Sequence, residues 1–484
     1  MKYAQGGALL LLTAILAACA VGTSYEQPAA PPAVARSDSF INAQDAIYRS
    51  EPDATRFWTV FQDPVLTKLI ENALASNHDI RIAAARLAEA RALRRDAAFD
   101  LGPTVGARGS YSENRISAAE RPDLPSSARD INLYDAGFDA TWELDVFGRV
   151  RRGVEAQSAE VGGAYASLQD AFVSLTSEVA RNYFELRGFQ QRFEVARRNA
   201  DNQTESLKLT QVRLDAGRGT DLDVARAQAQ LSATLATLPQ LETAIARAQY
   251  RLAVLTGRAP GELVAQLAPQ PLPELPAFTP VGEPSDWLRR RPDIRVAERN
   301  LAAATARIGI AVGDLFPKVT LLGSFGWSAT DSSGIGDSDT ESYRFGPSIS
   351  WAIFDLGHVQ ARIAAANARA DGALALYEQT VLRALEDTEG SLIAYSRALT
   401  SEAALAQAAD ASATAARLAR LRFDEGVSDF LQVLDAERTR LEAEDRLAQG
   451  RAAAATSLVA VYKALGAGWQ DIQSPYLPVA SNQD

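Results

Sequence analysis

Tyr134-Asp-Ala-Gly-Phe-Asp-Ala-Thr-Trp-Glu-Leu-Asp-Val146 separates cleanly when every second residue is read. Tyr134, Ala136, Phe138, Ala140, Trp142, Leu144 and Val146 are apolar, whereas Asp135, Gly137, Asp139, Thr141, Glu143 and Asp145 are polar or small. A period of two describes a strand with one face in an apolar medium and one in a polar medium. A tilted strand crosses a bilayer with on the order of ten residues, which this stretch supplies. Tyr343-Arg-Phe-Gly-Pro-Ser-Ile-Ser-Trp-Ala-Ile353 is built the same way, with Tyr343, Phe345, Pro347, Ile349, Trp351 and Ile353 as its apolar row. One such strand also fits a half-buried position in an ordinary soluble sheet, so the decision rests on the rest of the chain.

Working outward, the two strands prove to be copies. Trp142 and Gly148 recur as Trp351 and Gly357, both 209 residues on. The turn Arg213-Leu-Asp-Ala-Gly217-Arg-Gly-Thr220-Asp221-Leu222 matches Arg422-Phe-Asp-Glu-Gly426-Val-Ser-Asp429-Phe-Leu431 at the same shift. Upstream, Asp79-Ile-Arg81 and Pro103 recur as Asp293-Ile-Arg295 and Pro317, 214 residues on. The change of shift places a five-residue length difference in the hairpin region. Each copy reads helix pair, strand, strand, long helix, turn, return helix.

In chain order, Asp63-Pro64 is a helix start, with aspartate as N-cap and proline at the first helical position. A second helix follows Asn77-His-Asp79 and ends at Gly102-Pro103. Val105, Ala107, Gly109 and Tyr111 alternate as a strand, and a polar loop from Ser112 to Asn132 leads into the strand at Tyr134. From Val154 to about Ala216 there is no proline, and the stretch is rich in Ala, Leu, Glu, Arg and Gln, all good helix formers. At ~1.5 Å per residue that rod is on the order of 90 Å long. The return helix runs from Asp221 to about Thr256, with Pro239 expected to kink or split it. A proline-rich linker covers 259–284. In the second copy, Val319, Leu321, Gly323, Phe325 and Trp327 form a strand, and a rod from about Val359 to Phe423 precedes the last return helix.

Composition narrows the function. The 484-residue chain carries a net charge of -11, which argues against nucleic acid as a partner. Two histidines, His78 and His358, and one cysteine, Cys19, leave almost no inventory for a metal site or a Cys/His catalytic pair. The N-terminus reads as a targeting segment: Lys2, an apolar run from Ala8 to Leu16, then small residues. Leu16-Ala-Ala-Cys19 resembles a bacterial lipoprotein box, in which the cysteine is acylated; the alternative is an ordinary secretory signal with an incidental cysteine. Ala20 lacks the aspartate that resembles an inner-membrane retention signal, which favours outer-membrane sorting. A lipid on one residue anchors without spanning, and no later apolar run reaches the roughly 20 residues of a membrane helix. Any spanning element must be a strand.

Four strands cannot stand alone in a bilayer, because an open sheet leaves backbone groups unpaired in hydrocarbon at several kcal/mol each. Three identical chains would supply twelve strands, within the usual range for such barrels. The alanine-rich rods would then associate side by side as a barrel of helices, although by themselves they also fit a soluble coiled-coil stalk. The expected fold is α+β: an α-helical barrel continuous with a transmembrane β-barrel, four strands per chain, internally duplicated. The expected divisions are a signal peptide over 1–18, a lipid-anchored tether over 19–56, the first repeat over 57–258, the linker over 259–284, the second repeat over 285–470, and a tail over 471–484.

Several motifs together resemble the outer-membrane factor (TolC-like) family, in particular its NodT-type efflux lipoproteins. They are Phe57-Trp58 with Asp63-Pro64, Trp142-Glu-Leu-Asp-Val-Phe-Gly148, Arg291-Pro-Asp-Ile294 through Ile308-Gly309, Phe316-Pro317, Leu434-Asp-Ala436 and Tyr462-Lys-Ala-Leu-Gly-Ala-Gly-Trp469. The resemblance covers nearly all of the mature chain. It implies a homotrimer in the bacterial outer membrane, lipid-anchored (palmitate) at Cys19, with its helical barrel in the periplasm. It also implies the role of exit duct in a tripartite pump, with a periplasmic adaptor and an inner-membrane RND transporter as partners, and with neither catalysis nor cofactor. By position the resemblance carries over a periplasmic gate of Arg422, Phe423, Asp429, Leu431 and Asp435, beside rod turns marked by Gly217, Thr220, Asp221 and Gly426. Relatives often have tyrosine where Phe423 stands, and the first repeat has Arg226 at the position equivalent to Asp435. The strand reading makes Tyr134, Phe138, Trp142, Phe325, Trp327, Tyr343, Phe345 and Trp351 lipid-facing. Two other classes stay in view: a lipid-anchored periplasmic adaptor and an enzyme. Two copies of strand pair plus rod weigh against the first, and the lack of a nucleophile elbow, phosphate loop or metal cluster against the second.

Overall fold

The computed structural model describes residues 20–29, 39–49 and 55–470. The expected signal peptide, the acylation at Cys19 and the C-terminal tail lie outside the described residues. The chain divides into two compact units, the first holding residues up to 29, 86–165 and 296–378, the second holding 30–85, 166–295 and 379 onward.

The first unit is organised by a four-stranded antiparallel sheet. Counting the two-residue strand Tyr48–Arg49 as β1 and its partner Thr279–Pro280 as β4, the sheet contains β2 (Thr104–Arg115), β3 (Asp130–Leu144), β5 (Lys318–Ala329) and β6 (Glu341–Ser350) in the order β2-β3-β5-β6. Val105, Ala107 and Tyr111 lie opposite Ala140, Phe138 and Tyr134; these in turn lie beside Gly323, Phe325 and Ala329. Phe325 and Gly323 then face Tyr343 and Phe345. Directly opposed residues share a face, so the apolar rows of all four strands form one continuous surface. The opposite face carries Arg108, Asp135, Asp139, Thr141, Glu143, Ser324 and Arg344.

β2 and β6 are free edges. Pro347 sits on β6, where an edge strand tolerates the missing N–H. In the middle of the sheet Gly137 lies opposite Gly326, and a Cβ on Gly137 would stand 2.6 Å from the Phe325 carbonyl oxygen. Neither strand could approach the other so closely with a side chain there.

Two details differ from expectation. β2 continues to Arg115 and β3 begins at Asp130, so the loop is shorter than the polar composition suggests. Polar tips of a hairpin pair as well as apolar ones when both sides are wet, and Arg115 closes the ladder with an ion pair to Asp130 at 2.8 Å. Trp351 falls just beyond the end of β6.

The second unit is helical. Its elements belong to α1 (Pro64–Ser76), the start of α2 (His78–Phe99), α3 (Arg149–Asp215) from residue 166, α4 (Asp221–Leu235), α5 (Leu238–Leu255), α6 (Pro284–Arg290), the start of α7 (Pro292–Gly313), α8 (Leu356–Asp424) from residue 379, and α9 (Phe430–Ala464). Pro239 divides the first return helix into α4 and α5; its proline-free counterpart α9 is continuous. Asp63 caps α1 by accepting from Val65 N (2.8 Å) and Leu66 N (3.0 Å), and Asn77 caps α2 by accepting from Asp79 N (2.8 Å) and Ile80 N (3.2 Å). The core gathers Phe57, Phe61, Leu66, Ile70, Tyr183, Phe184, Trp287, Tyr395 and Tyr462. Phe57 stacks on Tyr462 with centroids 5.1 Å apart. Arg187 is fully buried, and its two terminal nitrogens are satisfied: they donate to Gln190 Oε1 (2.8 Å), the Ala268 carbonyl (2.6 Å), the Tyr183 hydroxyl (3.1 Å) and Gln270 Oε1 (3.3 Å).

Candidate functional site

Two surfaces carry the chemistry, the sheet faces of the first unit and the helix turns of the second. On the sheet, the eight aromatic residues expected to face lipid fall on the apolar surface, except that Trp351 only extends its line. Tyr343 is 80%, Phe345 74% and Phe138 53% exposed in the single chain. Solvent-exposed aromatic side chains in such a row mark a surface made for an apolar environment. Tyr111 and Tyr134 pair at one end of the band with rings 4.8 Å apart, and Trp142 stands toward the other. The polar face is charge-balanced locally: Arg108 donates to Asp139 at 2.9 Å, diagonally past Gly137.

The motif that ends β3 builds the strand-to-helix junction. Trp142 Nε1 donates to the Leu101 carbonyl at 2.9 Å; in the second copy Trp351 Nε1 donates to the Leu315 carbonyl at 3.0 Å. Glu143 receives Arg149 on both oxygens (2.9 and 2.6 Å), and Asp145 accepts the Val150 and Arg151 backbone N–H groups (3.0 and 2.9 Å) at the start of α3. Phe147 stacks on Phe316 at 4.7 Å, and Gly148 takes φ +83°.

The start of the expected tether makes defined bonds where it is described. Val21 N donates to the Phe147 carbonyl at 3.0 Å, and Arg152 holds the Gly22 carbonyl at 3.1 Å and Ser24 Oγ at 3.2 Å. The Tyr25 hydroxyl donates to Glu298. These side chains lie far along the sequence, so nothing near residue 21 announces them.

At the helix turns the two copies repeat the same backbone closure. Gly217 and Gly426 take φ +70° and +73°. Arg218 N returns to the Arg213 carbonyl and Val427 N to the Arg422 carbonyl, each at 2.8 Å, the Schellman closure of a helix C-terminus. Thr220 then caps α4 in a capping box with Asp223, and its counterpart Asp429 caps α9 by accepting from Gln432 N at 3.1 Å. Asp221 is exposed in the first turn of α4.

The five residues carried over as a gate do not form one cluster within the chain. Phe423 is 5% exposed and packs with Ala227, Phe430, Val433 and Leu434. Its ring lies 5.3 Å from Phe430 and beneath Arg213. Asp429 is occupied as a cap. Arg422 and Leu431 are exposed, and Asp435 is paired with Arg438 at 2.7 Å on an open surface. Sequence reading missed the interior side of this region. Arg420 reaches Ser206 Oγ at 2.8 Å and lies 3.6 Å from Glu437, whose carboxyl is pushed up by burial against the opposing pull of Arg420. Arg192 pairs with Asp445 at 2.7 Å, joining α3 to α9. Charged residues facing each other across two helices leave no local spacing signal to read.

Among the described residues there is no cluster of histidine, cysteine and carboxylate groups that could hold a metal ion, and no helix long and apolar enough to cross a membrane.

The outer membrane efflux protein family model matches residues 69–258 and 284–467. The chain is 31% identical over 478 residues to the outer membrane protein OprJ of Pseudomonas aeruginosa, covering 98% of each chain. It is 32% identical over 474 residues to the toluene efflux pump outer membrane protein TtgI of Pseudomonas putida, covering 95% of this chain and 97% of that one. The solved outer-membrane channel OprN superposes with a TM-score of 0.86 at 43% identity, over 93% of this chain and 100% of that one.

Proposed function

The chain belongs to the outer membrane efflux protein family, and on that premise we infer how it works as the exit channel of an efflux pump. It is not an enzyme; it conducts. Its place is the outer membrane, with a helical barrel in the periplasm, and an adaptor and an inner-membrane transporter complete the pump. The adaptor reading is set aside, since the relatives that match end to end are outer-membrane components.

Beyond that, we propose that three copies close one barrel of twelve strands. The observation that carries this is the sheet itself: four strands, one continuous apolar face, and two unpaired edges. Unpaired edge groups are untenable in hydrocarbon, and closure onto the next copy removes them. Exposed apolar residues also flank both edges, Phe99 (78% exposed) shortly before β2 and Phe354 (fully exposed) shortly after β6. In this arrangement the apolar face meets lipid, and Asp135, Asp139, Thr141 and Glu143 line water.

Cys19 is the proposed point of acylation, and the helix turns are the proposed periplasmic gate. Leu431, exposed on α9, and Asp435 would each recur three times around the axis, an apolar ring and an acidic ring of the kind that gates by dewetting and by charge. The cargo is small molecules passed on from the periplasm. Mass measurement of the native protein in detergent tests the assembly: we expect three chains, and a monomer or dimer would overturn it.

A further inference from the structure

Beyond Tyr134 the first hairpin reverses its polarity. The register continues unbroken, so Glu113 and Asn132, then Arg115 and Asp130, stand on the same face as Tyr111 and Tyr134. Ile131 and Leu133, opposite Asn114 and Ser112, stand on the face of Asp135 and Asp139. The surface that is apolar lower down becomes charged here, and the water-lining surface becomes apolar. Glu113, Arg115, Asp130 and Asn132 are exposed, whereas Ile131 and Leu133 are half-buried.

The first half of this reversal has a direct cause. Charges on the outer face are costly at membrane depth and cost little beyond it, so the ladder leaves the hydrocarbon at the paired tyrosines. The second half calls for something that shields apolar side chains on the inner side. The connecting loop is the adjacent source of such cover, and its own apolar residues Ile116 and Leu124 are also half-buried. The loop is tied at its neck, where Ile116 N donates to the Arg129 carbonyl at 2.9 Å and Arg129 Nε donates to the Leu124 carbonyl at 3.0 Å.

We propose that loop 116–129 folds inward over the outer mouth, so that Ile116, Leu124, Ile131 and Leu133 of the three copies line the exit with apolar surface. This rests on the trimeric-channel reading above. In a barrel of twelve tilted strands the wall radius is about 12 Å, so equivalent wall positions in three copies lie roughly 20 Å apart. Side chains on the wall cannot meet across that gap; three inward loops bring their tips together. The exit then presents an apolar collar, distinct from the helix turns. It favours amphiphilic or apolar small molecules and holds inorganic ions back, because narrow apolar passages wet poorly.

Cross-linking tests the geometry without depending on the state of the helix turns. Cys19 is the only cysteine of the chain, so the wild-type protein serves as the blank. Leu124→Cys trimers treated with a short bismaleimide should give linked dimers and trimers on a denaturing gel. Asn132→Cys, on the outward face of the same hairpin, should stay unlinked. Trimers by native mass that fail to link at Leu124→Cys and also at Ile116→Cys would overturn the inward loop. A protein that forms no trimer at all would instead overturn the channel assembly on which it rests.

Discussion

The guanidinium carbon of Arg213 stands 4.0 Å from the centre of the Phe423 ring. The two residues belong to the last turns of the two long helices, α3 and α8, and the duplication does not predict their contact. Arg422, the counterpart of Arg213, would find Leu214 at the position of the ring. One repeat thus supplies the cation and the other the aromatic face. Phe423 has no hydroxyl to offer, and its ring face makes the link. Phe423→Ala should cost about 3–5 kcal/mol of tip stability through the lost buried ring, and Arg213→Ala about 0.5–2 kcal/mol. Phe423→Tyr should sit near wild type. Limited proteolysis at the helix turns reads all three; equal resistance in Phe423→Ala and wild type would sink the assignment.

Asp429 separates capping from gating. Asp429→Ala removes the acceptor for Gln432 N and should destabilise α9 by about 1 kcal/mol. Asp429→Asn keeps the acceptor and removes the charge. If the residue only caps, Asp429→Asn leaves cation selectivity in planar bilayers unchanged. A loss of selectivity with normal thermal stability would place its charge on the conduction path.

Asp435→Asn should barely move thermal stability, within about 0.5 kcal/mol, since its pair with Arg438 is solvated. If three such carboxylates ring the axis, the variant conducts more and selects less for cations. Unchanged bilayer records would remove Asp435 from the gate.

Glu437 makes stability depend on pH with a definite sign. Burial raises its carboxyl above the ordinary 4.5, with Arg420 and Ser206 only partly opposing. Just above 4.5 the folded chain therefore holds a proton that the unfolded chain has released. The contribution is fully present below 4.5 and is lost as pH rises through the folded value. Glu437→Gln should flatten that part of the thermal-midpoint profile and raise the midpoint at neutral pH. A profile parallel to wild type across pH 4 to 7 would show that Glu437 does not titrate there.

Gly137→Ala should be far worse than Gly426→Ala. At Gly426 the cost is the left-handed backbone alone, about 1–2 kcal/mol, with open space around the added methyl. At Gly137 the methyl meets the Phe325 carbonyl, and β3 must move away from β5. The yield of heat-resistant trimer reads the difference, and equal yields would refute it.

What the sequence reveals and what it conceals follow from how far each interaction reaches. Alternation in Tyr134–Val146 is local, as are Asp63 before Pro64, Pro239 within a helix and Gly217 after one; each is legible because its cause lies within a few residues. The duplication extends that reach, since one copy checks the other. Hidden from it are contacts between distant segments: Arg152 on Gly22, Arg187 in its cage of carbonyls, Arg213 on Phe423, Glu437 beside Arg420. The tip of the first hairpin is concealed for a different reason. Its alternation inverts between Tyr134 and Ile131, so a search for one apolar face stops too early and takes paired strand for loop.

The matched tryptophan bonds, Trp142 to Leu101 and Trp351 to Leu315, clamp the foot of each hairpin to the helix end that precedes it. Between those clamps the first copy is five residues longer than the second, yet Gly148 and Gly357 still follow their tryptophans at the same distance. Length gained or lost at the tips is absorbed there and never transmitted inward. The hairpin tips can therefore change in length while the register of each strand foot with its helix end stays as it is.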